Sequence, residues 1–501
     1  MNRYLAALAA IVLLAVGVPR GSTLAAGLRL PLRIDTRLTL RAQFGYAPDY
    51  QRNVPSFDLS NRPYIRSRTV SQHATDHVDT LEGDGWISMP LLDAVRRDYP
   101  SFVATVNAGG YVSELVEFDG LGRAYTLLEI RLKNGALKNV LAYSLDGCRT
   151  WRTLTLPFGG RRVLYDGRDS GTATIEHFSG WNVNDDPPLV AVWRPVADWA
   201  GPRACRNELY VAAPRFDGDR LVLPSPTLVS RRFLGMVQAA GGASFAATVG
   251  DTSFMAWTEI APRDAKASPT YVASFDRASG AVGPRVRVAM ARPANDDHCT
   301  PGICVDSRGY LHVVVGAHSR PFLYTRSLSP LDASAWTTPK CVLTSGFRDK
   351  TTDADGRGRQ TYVSLVCLPD DTLVLVFRQQ RAGVDRVFGG HSYGVLCIQR
   401  RPRDGSWSGV TRLVFRRDRS GYAMFNHKLA VDRCGRLFLS LSFFDPDDYP
   451  PAKRAANRYR HRMVLVSADG GAIWRFATSG DYLAGITARD TDTSGAGEAG
   501  E

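Results

Sequence analysis

The sequence repeats one short pattern, a turn opened by an acidic residue and followed by an apolar or alternating strand. VDSRGYLHVVV, VDRCGRLFLSL and LPDDTLVLVF are three of the copies. Successive copies lie 61, 67, 65, 55, 64 and 62 residues apart in the 501-residue chain. Such a chain is expected to fold as similar units packed side by side. The units are marked by seven landmark residues: Asp58, Asp119, Asp186, Asp251, Asp306, Asp370 and Asp432.

Each repeat has the composition of turns and strands. Asp, Asn, Gly and Pro open the turn, and β-branched and aromatic residues with a two-residue period follow it. Helical periodicity is confined to a short stretch at residues 91–99. The pattern therefore predicts an all-β fold, a seven-bladed β-propeller of four-stranded antiparallel blades around a central channel.

A second motif, SxDGxxxW, supports the same fold. It occurs at residues 144–151 and 467–474, and residues 326–336 contain a degenerate copy. This is close to the Asp box of sialidase-type propellers, in which Asp and Gly shape a hairpin turn and Trp packs between strands. We therefore interpret Asp146 and Asp469 as structural residues and not as catalytic ones.

The ends of the chain predict export. Arg3 precedes an apolar run from Tyr4 to Val18, and small residues ending near Ala26 follow it, which predicts a signal peptide over 1–26. Residues 27–485 are expected to form one propeller domain, and 486–501 a disordered tail. No later run approaches the ~20 apolar residues of a membrane span. We expect a monomeric protein, secreted or periplasmic.

The charge balance is basic, with 62 Lys and Arg against 49 Asp and Glu, a net charge of +13. A basic exported protein suits an acidic polysaccharide partner, although arginine spread over the surface by compositional habit explains the charge equally well. No basic block is dense enough to predict nucleic-acid binding.

The eight cysteines are dispersed and predict no disulfide scaffold, although Cys299 and Cys304 could close a small loop.

Equal offsets from the landmarks place residues of different blades at equivalent positions around the channel. His298 lies eight residues before Asp306, and Tyr362 lies eight before Asp370. Tyr422, ten residues before the next landmark, has the same strand parity. We therefore expect these side chains on the innermost strands of neighbouring blades, facing one channel.

Four further residues have related phases. His318 lies 12 residues after its landmark, and Arg378 lies 8 residues after its own. Tyr111 lies eight residues before its landmark and His177 nine before its own, and these two are candidates for the opposite wall of the channel. A single histidine or tyrosine in a sheet is more often a hydrogen-bonded structural residue, and we interpret His312 in this way. The coincidence of His, Tyr and Arg at matching phases is what predicts a site.

A metal site is a weaker interpretation of the same histidines. Histidine is a common ligand, but no HxH or HExxH spacing accompanies His298, His312 and His318. The nearby Asp297 and Asp306 are interpreted as turn residues. The sequence therefore favours metal-free chemistry.

With these residues identified, the chain resembles the BNR-repeat secreted propellers and, within them, the seven-bladed ulvan lyases. The most specific pieces are residues 268–277, 295–318 and 361–378. Such lyases cleave a polyanionic algal polysaccharide at a uronic acid by β-elimination. The chain departs from the family pattern at Cys299, where relatives usually have asparagine, and it offers no match for the clustered zinc ligands that some of these lyases carry.

The resemblance implies roles for individual residues. It implies a catalytic group of His298, Tyr362 and Arg378. By resemblance, His318 and Tyr422 are assigned to substrate binding. Tyr111 and His177 are assigned to substrate binding by their offsets from the landmarks. No cofactor is implied for catalysis, and the presence of a structural zinc or calcium ion stays open.

The chemistry of β-elimination suits these residue types. A guanidinium at Arg378 would stabilise the enolate-like charge that develops beside the uronate carboxylate. Either His298, near its ordinary pKa of ~6.5, or Tyr362, if Arg378 lowers its pKa from ~10, would remove the proton, and the other would protonate the leaving oxygen. The alternatives are a sialidase-like glycoside hydrolase, for which no convincing arginine-bearing opening motif is present, and a non-catalytic carbohydrate-binding propeller.

Overall fold

The computed structural model is a ring of seven four-stranded antiparallel sheets, which confirms the predicted seven-bladed β-propeller. The predicted signal peptide lies outside the described residues, as does the predicted tail except for its first residue. The structure describes residues 32–33, 54–68, 76–83, 85–105, 115–158, 173–178, 182–201, 204–236, 243–343, 359–382, 392–415, 424–443 and 461–486.

The first three blades occupy the chain up to residue 233. A short strand precedes them, β1 (Leu32–Arg33). Blade 1 contains β2 (Pro55–Phe57), β3 (Pro63–Arg68), β4 (Asp76–Glu82) and β5 (Gly85–Pro90), and the helix α1 (Leu92–Asp98) follows it. Blade 2 contains β6 (Phe102–Thr105), β7 (Glu117–Phe118), β8 (Ala124–Leu132), β9 (Leu137–Ser144) and β10 (Arg152–Thr155). Blade 3 contains β11 (Ala173–Ile175), β12 (Val190–Gly201), β13 (Ala204–Ala212), an inserted hairpin of β14 (Arg215–Asp217) and β15 (Arg220–Val222), and β16 (Thr227–Phe233).

The remaining four blades follow in sequence. Blade 4 contains β17 (Ala246–Val249), β18 (Thr252–Thr258), β19 (Ser268–Asp276) and β20 (Val286–Ala291). Blade 5 contains β21 (Gly302–Val305), β22 (Leu311–Val315), the short strand β23 (His318–Arg320) that pairs with blade 6, β24 (Leu323–Arg326) and β25 (Lys340–Cys341). Blade 6 contains β26 (Gln360–Cys367), β27 (Leu373–Ala382), β28 (Ser392–Arg401) and β29 (Thr411–Phe415). Blade 7 contains β30 (Met424–Val431), β31 (Leu437–Phe443), β32 (His461–Ser467) and β33 (Arg475–Phe476), with the helix α2 (Ser479–Leu483) after it.

The seven landmark residues all lie between the first two strands of a blade, as the repeat predicted. At Asp119 the side-chain Oδ1 accepts hydrogen bonds from the backbone N–H groups of Leu121 and Arg123, at 3.0 and 2.9 Å. Gly122, with φ +79°, supplies the left-handed residue that this turn requires. The landmark carboxylate is therefore a turn-forming group.

Turns of neighbouring blades contact one another around the ring. Ser307 donates its backbone N–H to Asp371 Oδ1 at 2.7 Å, and Gly120 donates to the carbonyl of Asn184 at 2.6 Å. These turns lie on one face of the propeller, so the segments that enter the inner strands lie at the opposite face.

The last blade closes the ring on the first. Asn61 Nδ2 of blade 1 donates to Asp432 Oδ2 of blade 7 at 3.1 Å. Phe57 and Tyr482 both pack on Phe438, with ring centroids 4.9 and 5.0 Å apart. Helix α2, which the sequence did not predict, carries Tyr482 into this interface.

The SxDGxxxW motifs form hairpin turns between the third and fourth strands. Asp469 Oδ1 accepts the backbone N–H of Ile473 at 2.9 Å, and the indole of Trp474 donates to the carbonyl of Gly471 at 3.0 Å. Trp474 is buried in the core of the last two blades, and Trp151 is buried in the same way in blade 2. The motif is structural, as interpreted.

Two smaller expectations have definite outcomes. The predicted helical stretch at residues 91–99 contains α1. Cys299 and Cys304 are both free thiols, so the small disulfide loop considered from the sequence does not form.

Among the described residues, no helix is both long and apolar enough to cross a bilayer.

Candidate active site

A cluster of aromatic and charged side chains lies where the chain enters the inner strands of blades 5 and 6. His298 precedes β21 by four residues, Tyr362 lies early in β26, and Arg378 lies on the neighbouring strand β27. His318 begins β23, which pairs with β26 through Thr361. The offsets of these four residues from their landmarks predicted that they would come together, and the structure places them side by side.

The two histidines share one carboxylate. The rings of His298 and His318 stack with centroids 4.3 Å apart. His298 Nδ1 lies 2.6 Å from Asp296 Oδ1, and His318 Nδ1 lies 2.8 Å from Asp296 Oδ2. Asp297 Oδ1 lies 3.2 Å from His298 Nδ1. Asp296 is therefore the link between the two imidazoles.

The backbone around this pair is tightly packed. His318 donates its backbone N–H to the carbonyl of Arg292 at 3.0 Å. Gly316 runs against the preceding segment, where an added Cβ would lie 2.1 Å from the carbonyl oxygen of Thr300. A side chain at residue 316 would displace the segment that carries His318, so the site requires glycine there.

Tyr362 occupies an irregular position in its strand. It has φ +66°, and the pairing of β26 with β27 shifts register between Thr361 and Ser364. His427 of blade 7 donates from Nε2 to the Tyr362 carbonyl at 2.9 Å, which secures this backbone. The Tyr362 ring lies 5.5 Å from the His298 ring between centroids. A left-handed conformation at a non-glycine residue costs free energy and is concentrated at functional sites.

Arg378 lies against the face of Tyr362. Its Cζ is 4.6 Å from the centroid of the Tyr362 ring, within the range of a cation–π contact. Arg378 is 1% exposed. We expected the Arg378 guanidinium to be open to the substrate carboxylate. In the structure it is buried beneath Tyr362, so its charge acts through the tyrosine ring.

The charges of the cluster are strongly coupled. Burial raises the pKa of Asp296, but hydrogen bonds from His298 and His318 outweigh this and hold it well below its usual range. Burial lowers the pKa of His298, but electrostatic interaction with Tyr362 and hydrogen bonds to Asp296 and Asp297 raise it well above its usual value. Burial lowers the pKa of His318, and the adjacent His298 charge adds to this effect. These opposite directions favour a single positive charge on the pair, carried by His298.

The same residues are a group that could hold a metal ion. Candidate ligand atoms of Asp296, His298 and His318 lie within 4.8 Å of one another. Both Nδ1 atoms are within hydrogen-bonding distance of the carboxylate, and a nitrogen that donates a proton cannot also bind a cation. A metal ion at this group would therefore be bound through the Nε2 atoms of the two rings.

Among the other predicted binding residues, His177 lies in the described part of the chain, and it does not join this cluster. Tyr111 and Tyr422 lie outside the described residues. His177 follows β11, where its Nδ1 lies 2.9 Å from Glu117 Oε1. The expected position of His177 was counted back from Asp186. A long segment separates the end of β11 from Asp186, so His177 lies just beyond the end of its inner strand and not near the start.

A cavity lies in the central channel of the ring. The inner strands of several blades line it, together with Glu117, His177 and Arg433. Arg433 follows a landmark turn, so this cavity extends toward the turn face and is separate from the His298 cluster.

Two contributors to the site were missed by the sequence analysis. Asp296 stands beside a run of turn-forming residues, and its role depends on a contact with His318 across 22 positions. His427 lies five residues before Asp432, an offset that differs in parity from that of His298, so the phase argument passed over it.

Residues 254–440 match the model of a BNR repeat-containing family. This match covers less than half of the chain, and together with the seven-bladed ring it bears out the expected resemblance to BNR-repeat propellers. No curated protein sequence matches the chain at a significant level.

Several solved structures are similar to this chain at low identity. A PL25 ulvan lyase bound to -[GlcA(1-4)Rha3S]- is 13% identical, with 49% of this chain and 72% of that chain covered and a TM-score of 0.27. The polysaccharide lyase Uly1 is 14% identical, with 47% and 54% covered and a TM-score of 0.30. A sialidase of Trypanosoma rangeli is 10% identical, with 78% and 57% covered and a TM-score of 0.38.

Proposed function

We propose that the protein is a secreted or periplasmic polysaccharide lyase that cleaves a uronic-acid-containing, ulvan-like polymer by β-elimination. The observation that carries the proposal is the cluster itself. The rings of His298 and His318 stack with centroids 4.3 Å apart, the His298 and Tyr362 centroids are 5.5 Å apart, and Arg378 Cζ lies 4.6 Å from the Tyr362 centroid. These groups supply both cations and proton-transfer groups at one place, where the chain enters the inner strands of blades 5 and 6.

The cations serve the carboxylate of the substrate. Loss of the proton beside a uronate carboxylate places further negative charge on a group that is already an anion. His298, held in its charged form, is the partly exposed cation that pairs with this carboxylate, and Arg378 adds positive charge from beneath Tyr362. The surplus of basic residues helps to gather an acidic, including a sulfated, polymer.

The elimination needs a base and an acid. The base takes the proton from the carbon next to the carboxylate, that electron pair forms the carbon–carbon double bond, and the bond to the glycosidic oxygen breaks as this oxygen gains a proton. Because His298 is held protonated, it fits the donor or carboxylate-binding role better than the role of base. His318 and Tyr362 are then the groups that accept the proton and protonate the leaving oxygen.

The test is an incubation of the full-length protein with ulvan and with other uronate-bearing polymers, followed by the absorbance of the unsaturated sugar. We expect absorbance to appear with at least one such polymer. Release of sialic acid from a sialylated glycan tested in parallel, without this absorbance from any uronate polymer, would indicate a sialidase-like hydrolase. Retention on the polymer without cleavage would indicate a binding propeller.

A further inference from the structure

The two imidazoles depend on a carboxylate that is hidden from solvent. The Asp296 side chain is 1% exposed, whereas those of His298 and His318 are 26% and 16% exposed. Each ring turns its Nδ1 edge to the buried carboxylate, at 2.6 and 2.8 Å. The exposed part of each ring is therefore the edge that carries Nε2.

Asp296 is itself held in place by its own turn. The backbone N–H of His298 donates to Asp296 Oδ1 at 3.1 Å, and the N–H of Cys299 donates to the Asp296 carbonyl at 3.0 Å. The carboxylate is thus fixed by the same segment that carries one imidazole, and it reaches across to the other.

We propose that Asp296 is a positioning residue that holds both imidazoles in one tautomer, with Nδ1–H on the carboxylate and Nε2 toward the substrate. An ionised carboxylate only accepts hydrogen bonds, so both Nδ1 atoms carry protons. In a neutral ring of this tautomer Nε2 is the proton acceptor, and in a charged ring Nε2 is a donor. The buried Asp296 side chain thus orients two neighbouring Nε2 atoms, a proton acceptor on the neutral ring and a proton donor on the charged ring.

The catalytic consequence of this inference rests on the proposed lyase function, but the hydrogen bonds do not. Asparagine is almost the same size as aspartate, yet it offers one acceptor and one donor. In Asp296→Asn only one imidazole can keep its Nδ1–H bond, and the other must move its proton to Nε2. Asp297→Asn is the matched comparison, because Asp297 lies 3.2 Å from His298 Nδ1 and makes no such contact with His318.

The experiment is long-range proton–nitrogen NMR of the full-length protein with nitrogen-labelled histidine, combined with kinetics on the polymer. We expect Nδ1–H on both rings in the wild type and in Asp297→Asn, and on one ring in Asp296→Asn. We expect kcat to fall by up to about 10⁴-fold in Asp296→Asn, the scale seen when the carboxylate that fixes the tautomer of a catalytic histidine becomes an amide, with a smaller change in KM.

Two outcomes would overturn the inference. One is a neutral His318 with its proton on Nε2 in the wild type, a result that does not depend on the folding of any variant. The other is a folded Asp296→Asn protein with unchanged tautomers and unchanged kcat. If the tautomers behave as expected and no polymer is cleaved, the positioning role stands and the proposed function fails.

Discussion

The imidazoles of His298 and His318 stack 4.3 Å apart, with 25° between their planes, although a complete hairpin separates them in the sequence. Two imidazolium ions at this distance would repel each other, so the stack favours one charge. Asp296 bonds both rings and stabilises that single charge. The site therefore offers a donor and an acceptor in van der Waals contact.

Replacement of His298 by glutamine removes the cation that faces the substrate. We expect His298→Gln to lower kcat/KM about 100-fold or more, the scale for loss of one group that stabilises a developing anion. His77→Gln is the matched control, since the His77 side chain is 24% exposed and pairs with Asp79 at 3.4 Å, away from the cluster. Equal activity of the two variants in the polymer assay would remove His298 from the mechanism.

Arg378 acts through its charge from beneath Tyr362. Arg378→Met keeps most of the side-chain volume and loses the charge, and we expect it to lower kcat about 100-fold, the scale for loss of one stabilising group at a developing anion. Arg378→Lys should retain part of the activity. Circular dichroism melting would separate loss of folding from loss of turnover, and a folded methionine variant with full turnover would contradict this role.

His427 links the site to stability at low pH. Burial lowers its pKa to about 3, so the folded protein keeps it neutral while the unfolded chain protonates it near its ordinary value of 6.5. The free energy of unfolding should therefore fall as the pH drops from 6.5 toward 3, by up to about 5 kcal/mol from this group. His427→Gln, which keeps a donor for the Tyr362 carbonyl, should show a shallower fall in urea titrations at several pH values. Identical slopes for both proteins would show that His427 makes no contribution.

The Trp of the last SxDGxxxW motif should matter for stability and not for chemistry. Trp474→Ala removes a fully buried indole from the core of blades 6 and 7, and we expect a loss of about 3–5 kcal/mol in the free energy of unfolding. Ile473→Ala, at a neighbouring residue that is 54% exposed, should change it by less than about 1 kcal/mol. A loss in kcat at a temperature where Trp474→Ala remains folded would argue against a purely structural motif.

The fold could be predicted from the sequence because its information is local and repeated. Landmark turns such as the one at Asp119 contain their own acceptor and their own left-handed residue, here Gly122, so the repeated pattern is visible without any long-range contact. The ring then follows from the number of copies.

Only part of the site could be predicted in the same way. Offsets from the landmarks brought His298, Tyr362 and Arg378 together, because inner strands of neighbouring blades are nearly in register. The same reasoning misplaced His177, because blade 3 has a long segment between its first two strands. It also missed Asp296, whose role depends on side-chain contacts that spacing does not encode, and it gave no sign that Arg378 is buried.

The most direct test of the account is cleavage of ulvan by the full-length protein in water labelled with a heavy oxygen isotope, with products analysed by mass spectrometry. A lyase breaks the bond by elimination, so we predict products with a carbon–carbon double bond and no oxygen from the solvent, absent when His298→Gln replaces the wild type. Saturated products that carry solvent oxygen would identify a hydrolase and contradict the proposal.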